Sequence, residues 1–164
     1  MAQETTLLPY ICYALTELRP EKRDAAKAFY VRVAETCEKV LGIRGFVPHE
    51  HYDPVAHANF TPHEVDEAER RQVCERTSVV IVVALAPSWG GGIEVEMANR
   101  YSIPVIILCE KWKLEERKIS RLLLGNPAVR LVIAFRNEDD ALEQLADALR
   151  RLILKQPPVI VESA

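Results

Sequence analysis

Residues 79–100 of the chain, VVIVVALAPSWGGGIEVEMANR, decide its fold. The stretch begins with seven apolar residues, 79–85, mostly β-branched, a pattern typical of a strand that is buried on both faces. Pro87 and Ser88 interrupt the run, and three glycines at 90–92 are expected to form a turn before a helix with Glu94 in its first turn. Such a corner binds anions, because free backbone N–H groups and the helix dipole both favour negative charge. The same dipole is expected to keep Glu94 ionised.

The corner alone does not identify a function. It lacks the Lys and Ser/Thr of a P-loop and the spacing of a GxGxxG dinucleotide site. Strand–glycine–helix turns also occur in many α/β proteins in which they carry no chemistry. A structural role and an anion-binding role therefore both stay open at this point.

Four further apolar runs are typical of strands, and they alternate with helical patterns on either side of the central stretch; the five expected strands are 7–15, 43–47, 79–85, 103–108 and 129–135. This alternation predicts an α/β protein with a three-layer, flavodoxin/Rossmann-like fold and a five-stranded parallel sheet in the order 2-1-3-4-5. One domain is expected over 1–155, followed by a C-terminal tail, 156–164. Ligands bind such sheets at the carboxyl ends of the first and third strands, which places 10–16 beside 87–94.

Composition limits the functional classes. The chain has 164 residues, of which 49% are hydrophobic, and a net charge of −3, which argues against a nucleic-acid polymer as partner. No apolar run reaches the roughly 18 residues of a membrane span, and the first residues do not resemble a signal peptide. Four scattered cysteines are typical of free thiols in a reducing compartment. We therefore expect a cytoplasmic protein that has no membrane partner.

Histidines concentrate in and after an irregular stretch, 48–62, which is long for a loop within a domain. His49, His51, Asp53 and His57 follow the pattern H-x-H-x-D-x3-H, and His63 comes shortly after. This spacing fits no standard zinc site, so the stretch is predicted to be a metal-free lid or pocket wall. Neither a metal nor an organic cofactor is expected.

Four short motifs, in order along nearly the whole domain, resemble the nucleoside 2-deoxyribosyltransferase-like superfamily, which includes 2′-deoxynucleoside 5′-phosphate N-hydrolases. They are YICYALT at 10–16, PSWGGGIE at 87–94 with Ala98, IPVI at 103–106, and SRLLLG at 120–125. The second is fairly specific, and the others are weak individually. The resemblance implies a small-molecule nucleoside or nucleotide as substrate.

The resemblance also implies roles for individual residues. Glu94 is the carboxylate that attacks C1′ of the sugar, with Tyr10 and a second acid as the other catalytic residues. Ser120, followed by Arg121, reaches a phosphate from a neighbouring subunit, so we expect a homodimer or a larger homo-oligomer. Ser88 and the adjacent amides hold the 5′ end of the sugar, and the remaining expected substrate-binding residues are Tyr13, Ala14, Pro87, Trp89, Gly90 and Gly92.

Two departures from the family pattern leave the activity open. Tyr13-Ala14 stands where the family usually carries Gly-Ser. The second acid is usually an Asp, and counting back from Ser78 reaches Arg70 instead, so either the neighbouring Glu69 serves or the second acid is missing. The leading hypothesis is N-glycosidic bond cleavage or transfer. The alternatives are a catalytically weak nucleotide-sensing module and a relative whose pocket is only vestigial.

Overall fold

A computed structural model describes residues 8–155, with side chains through Leu152. The elements within this range are β1 (Leu8–Tyr13), α1 (Pro20–Leu41), α2 (His49–Tyr52), α3 (Pro62–Arg76), β2 (Thr77–Val83), α4 (Trp89–Arg100), β3 (Val105–Glu110), α5 (Lys111–Glu115), α6 (Arg121–Leu124), β4 (Val129–Phe135) and α7 (Glu138–Lys155). The expected tail, 156–164, and Leu7 of the first expected strand lie outside the described residues. None of the helices within 8–155 combines the length and apolar character that a membrane crossing requires.

The sheet is parallel, as predicted, but the predicted five strands in the order 2-1-3-4-5 are wrong. Four strands pair in the order β1-β2-β3-β4. Residues 43–47 contribute only a single parallel bridge, in which Phe46 N–H donates to Pro9 O at 2.7 Å and Ile11 N–H donates to Phe46 O at 3.0 Å. The next bond of a parallel ladder would need an N–H at position 48, and Pro48 has none, so the pairing stops there.

Helices cover both faces of the sheet. On one face, Ile81 and Leu108 pack with Phe29 of α1 and Leu145 of α7. On the other face, the apolar cluster includes the alternate strand residues Val82 and Ile107 and residues of α3 and α4. The β2 run is therefore buried on both sides, as its apolar sequence predicted, and the layers are helix, sheet, helix.

Residues close to the helix ends explain where α1 ends and where α3 begins. Gly42 ends α1 with φ 75°, a conformation that favours glycine. Thr61 and Glu64 form a capping box at the start of α3, where the Glu64 N–H donates to Thr61 Oγ1 and the Thr61 N–H donates to Glu64 Oε2.

The start of α4 differs from the prediction. The helix begins at Trp89, so the three glycines belong to its first turns and do not form a separate turn before it. Glu94 is consequently the sixth residue of the helix, beyond the first turn in which it was expected. Ser88 explains the early start: its Oγ accepts the Gly91 N–H at 3.0 Å and so caps the helix.

Candidate active site

A cleft of about 430 Å³ lies between α3, α4 and the segment that follows α2. Glu94 and Gly90 of α4 line it, and so does Glu69 of α3. The opposite side is the loop wall, which we define as Tyr52, Pro54, His57, Ala58 and Phe60. The histidine-rich stretch thus forms a pocket wall, as predicted. No three His, Cys, Asp or Glu side chains within the described residues come together as a metal site.

Glu94 is held at the floor of this cleft by β1. Its side chain is buried, with 8% of the residue exposed, and the buried Tyr10 hydroxyl donates to Glu94 Oε1 at 2.9 Å. The Tyr10 ring stacks on Phe46, with centroids 5.7 Å apart, which fixes the direction of its hydroxyl. The structure therefore brings together two of the three predicted catalytic residues by direct contact, and places the third, Glu69, in the same cleft.

Gly91 allows α4 to approach β1 closely enough for this contact. The Cys12 thiol donates to the Gly91 carbonyl at 3.6 Å, and a Cβ at position 91 would lie 3.2 Å from Cys12 Sγ and 3.2 Å from Ser88 Oγ. A Cβ at Gly92, by contrast, would meet no atom within 4 Å. Of the three consecutive glycines at 90–92, it is therefore Gly91 that is needed for steric reasons, and the sequence analysis named only the other two as site residues.

Three carboxyl groups line the cleft, and two of them, Glu69 and Glu94, bind protons more tightly than a free glutamate. Burial, assisted by the charge of Asp66, raises the pKa of Glu69 to about 7. Burial and the charge of Glu69 raise the pKa of Glu94 to about 8, although the hydrogen bonds from Cys12 and Tyr10 oppose this. The expectation that the helix dipole keeps Glu94 ionised is therefore wrong. Glu94 lies beyond the first turn, where the dipole acts most strongly, and desolvation outweighs what remains.

The corner predicted to bind an anion lies at the N-terminus of α4, and anion binding there stays a prediction. Trp89 and Gly90 hold its first two positions, where backbone N–H groups have no acceptor within the helix. Ser88 Oγ accepts the Gly91 N–H, so its own O–H stays available as a donor. Because Gly90 also lines the cleft, the corner and the two carboxyl groups open onto one space. The Trp89 ring itself is exposed, and Pro87 is an exposed residue before the cap.

Tyr13 and Ala14, predicted to bind substrate, are not among the residues that line the cleft, and their contacts support the end of β1. The Tyr13 hydroxyl accepts the His49 N–H at 2.6 Å and lies 2.8 Å from His49 Nδ1, while its ring stacks on Tyr30 with centroids 3.9 Å apart. Ala14 is buried, and its carbonyl accepts the Tyr30 hydroxyl at 2.7 Å. These contacts hold the start of the histidine-rich stretch against the sheet.

Ser120 and Arg121 are not brought to the cleft of their own chain. Ser120 caps α6, with Oγ accepting the Leu123 N–H at 3.4 Å, and Arg121 is exposed. Asn126, just after α6, donates to Glu96 Oε2 at 3.2 Å, which places this segment on the exposed face of α4. Glu96 is about 200° around the helix from Glu94. Any role for Ser120 in a phosphate site would therefore concern another subunit.

Asp53 supports the loop wall, a role that the sequence analysis missed. It is buried, its Oδ1 accepts the N–H groups of Val55 (2.8 Å) and Ala56 (2.9 Å), and its Oδ2 lies 2.5 Å from Lys27 Nζ of α1. Burial by itself raises the pKa of Asp53, but the Lys27 ammonium and the two N–H groups outweigh it and hold the pKa well below its usual range. Asp followed by Pro indicates a turn in the sequence. Nothing local, however, indicates the pairing with Lys27.

Comparisons with known proteins support the fold. No protein-family model matches the chain, and no curated protein matches its sequence. Among solved structures, BlsM matches with a TM-score of 0.68 and 19% identity, covering 96% of this chain and 99% of that one. The Clostridium botulinum CMP N-glycosidase BcmB matches with a TM-score of 0.59 and 17% identity, covering 85% of this chain and 98% of that one. At such identities the likeness confirms the resemblance drawn from the motifs at the level of the fold.

Proposed function

We propose that the protein hydrolyses the N-glycosidic bond of a nucleoside 5′-monophosphate, with Glu94 as the nucleophile. The observation that carries the proposal is the buried Glu94 carboxyl, hydrogen-bonded by Tyr10, in one cleft with a second carboxyl of raised pKa, Glu69. Two carboxyl groups with separate roles are the usual requirement of glycoside hydrolysis. The shared fold with a CMP N-glycosidase supports the same reaction class.

In the first step a Glu94 oxygen forms a bond to C1′ while the C1′–N bond breaks. The electron pair of that bond goes to the base nitrogen, and the base takes a proton from the Glu69 carboxylic acid. The reactive form of the pair thus holds one proton, on Glu69. The Tyr10 hydroxyl favours this form, because its hydrogen bond is stronger to an ionised Glu94 than to a neutral one.

In the second step water attacks C1′ and the Glu94 carboxylate leaves. The ionised Glu69 accepts the proton of that water and so returns to its starting state. The products are the free base and the sugar 5-phosphate, and no cofactor is required by the balance of the reaction. Transfer to a second base would need that base to replace water in this step.

The phosphate is proposed to bind at the N-terminus of α4. The N–H groups of Trp89 and Gly90 and the O–H of Ser88 are available there, and the helix dipole favours the anion. Ser120 and Arg121 are proposed to reach the same phosphate from a neighbouring subunit in a homodimer. Sedimentation that shows a fully active monomer at micromolar concentration would contradict this last point.

A nucleotide-sensing module is the second candidate, and one observation favours it. Because the pKa of Glu94 is raised to about 8, its carboxyl group is protonated in most molecules at neutral pH, and a protonated carboxyl is a poor nucleophile. In that case the protein would bind nucleotides without cleaving them.

Base release measured beside binding separates the two candidates. Ribonucleosides, deoxynucleosides and their 5′-monophosphates are incubated with the protein and free base is quantified, while calorimetry gives the affinity for the same panel. Hydrolysis is supported if base is released and Glu94→Gln lowers the rate by at least about 100-fold. Glu96→Gln, on the exposed face of the same helix, is the matched control and is expected to be as active as the unmodified protein. Binding without release would support the sensing module.

A further inference from the structure

His57 has a fixed hydrogen-bonding role within the loop wall. The Asp53 backbone N–H donates to His57 Nδ1 at 3.2 Å, so Nδ1 acts as the acceptor. In a neutral imidazole with Nδ1 as acceptor, the proton is on Nε2. The ring that His57 contributes to the cleft therefore offers an N–H donor at Nε2.

The orientation of this ring is set by the buried Asp53. The His57 backbone N–H donates to the Asp53 carbonyl at 2.8 Å, so Asp53 contacts both the main chain and the ring of His57. The Asp53 carboxylate is itself anchored to Lys27 of α1. Asp53 is in this sense a positioning residue: it connects the loop wall to a helix of the core and fixes which His57 nitrogen carries the proton.

The loop wall lies where the base of a bound nucleotide is expected. If the phosphate occupies the N-terminus of α4 and C1′ lies at Glu94, the base extends away from both, toward Glu69 and the loop wall. Two aromatic residues line this space, Tyr52 and Phe60, whose rings contact each other edge to face with centroids 5.7 Å apart. Flat aromatic surfaces of this kind suit a heterocyclic base.

We propose that His57 binds the leaving base, by donating Nε2–H to an acceptor on the edge of its ring. The protein then prefers bases with an acceptor ring nitrogen at that position over bases with a C–H there. This inference rests on the proposed function for the placement of the nucleotide. It adds to that function the side chain that recognises the base, His57, and the kind of base that this side chain favours.

The test is a cycle between His57 variants and base analogues that lack one acceptor. The 5′-monophosphates of adenine, guanine and cytosine are paired with deaza analogues in which one acceptor nitrogen becomes C–H: the 1-, 3- and 7-deaza forms of adenine, the 3- and 7-deaza forms of guanine and the 3-deaza form of cytosine. We expect the unmodified protein to favour one natural member over its analogue by about 10-fold in kcat/KM, as for one hydrogen bond. His57→Phe is expected to abolish this preference by lowering the rate for the natural member alone. His57→Gln places an N–H donor at a similar reach and is expected to restore it.

A merely structural role for His57 gives a different result. If His57→Phe lowers kcat/KM equally for both members of a pair, or if the preference for the natural member survives in His57→Phe, the proposal is wrong. His63→Phe is the matched control, since His63 is exposed at the start of α3, and it is expected to leave the preference unchanged. Denaturant unfolding of each variant identifies any that are not folded.

The outcome is distinguishable from a failure of the proposed hydrolysis. The same pairs are titrated by calorimetry into the Glu94→Gln variant, in which binding is measured without turnover. A preference in Kd that His57→Phe abolishes supports the proposal even if the unmodified protein releases no base. Equal Kd values for every pair overturn it even if base release is rapid.

Discussion

Glu94→Gln is expected to remove a pH dependence from the stability of the protein. The pKa of Glu94 is about 8 in the fold, because of burial and then the charge of Glu69, against 4.5 for the free side chain. A raised pKa means that the folded protein holds a proton which the unfolded chain releases. The stabilisation that this proton provides is complete below about pH 4.5, falls as the pH rises, and is lost at about pH 8. Glutamine has no proton to lose, so the variant lacks this trend.

The size of the effect follows from the same two values. The pKa difference between the free side chain (4.5) and the folded protein (about 8), at about 1.4 kcal/mol per pKa unit, gives an upper limit of about 5 kcal/mol for the change in the free energy of unfolding. Water entry and the coupling to Glu69 reduce it, so we expect the variant to gain about 2–4 kcal/mol relative to the unmodified protein between pH 5 and pH 9. The shared acidic groups elsewhere contribute equally to both proteins and cancel in the difference.

Denaturant unfolding at pH 5, 6, 7, 8 and 9 measures this difference. Glu96→Gln is the control, because Glu96 is on the exposed face of the same helix and its Oε2 bonds the Asn126 and Asn99 side chains. Its stability difference from the unmodified protein is expected to stay constant over the range. A difference for Glu94→Gln that is flat within about 0.5 kcal/mol would refute the reasoning, since a buried carboxyl of raised pKa cannot produce it.

Four further predictions concern the cleft and its supports. The dependence of turnover on pH is expected to be bell-shaped with its maximum near pH 7–8, because Glu69 and Glu94 are both protonated below that range and both ionised above it. Glu69→Gln should lower the maximal rate by about 100-fold, and a flat pH profile would contradict the pairing of the two acids. Gly91→Ala is expected to be less stable than Gly92→Ala by about 1–2 kcal/mol in denaturant unfolding, because only the former meets neighbours at 3.2 Å; equal stabilities would refute the close approach. Asp53→Asn is expected to lower stability by about 1–3 kcal/mol at pH 7. Because the pKa of Asp53 is lowered in the fold, this loss is complete above about pH 3.8 and shrinks progressively as the pH falls below it; a loss as large at pH 2 as at pH 7 would contradict this. Calorimetry is expected to show that a 5′-monophosphate binds more tightly than its nucleoside by about 1–3 kcal/mol. Ser88→Asp keeps a helix cap but adds a negative charge, so it is expected to remove this advantage while leaving the melting temperature unchanged.

The sequence by itself determined the features that depend on near neighbours. The apolar run 79–85 indicated a doubly buried strand, because burying one face alone would leave half of its side chains in water, and residues 79–83 of the run lie in β2. Gly42 and the Thr61 capping box end and start helices through contacts within four residues. The PSWGGGIE motif placed Ser88 and Glu94 near the start of one helix for the same reason, since both stand within a single strand–helix connection, while their roles in a site stay predictions.

The tertiary structure decided everything that depends on a partner distant in sequence. The Glu94 pKa is opposite to the dipole-based expectation because burial against Tyr10 and Glu69 brings together residues from β1, α3 and α4. The expected second strand is reduced to one bridge, because only the register against β1 shows that Pro48 falls where a ladder N–H is required. The sequence around Asp53 indicates only a turn, and it is the fold that brings Lys27 of α1 beside its carboxylate. Charge, burial and ladder register are properties of three-dimensional neighbourhoods, and for these residues the neighbours are 25 to 84 positions away along the chain.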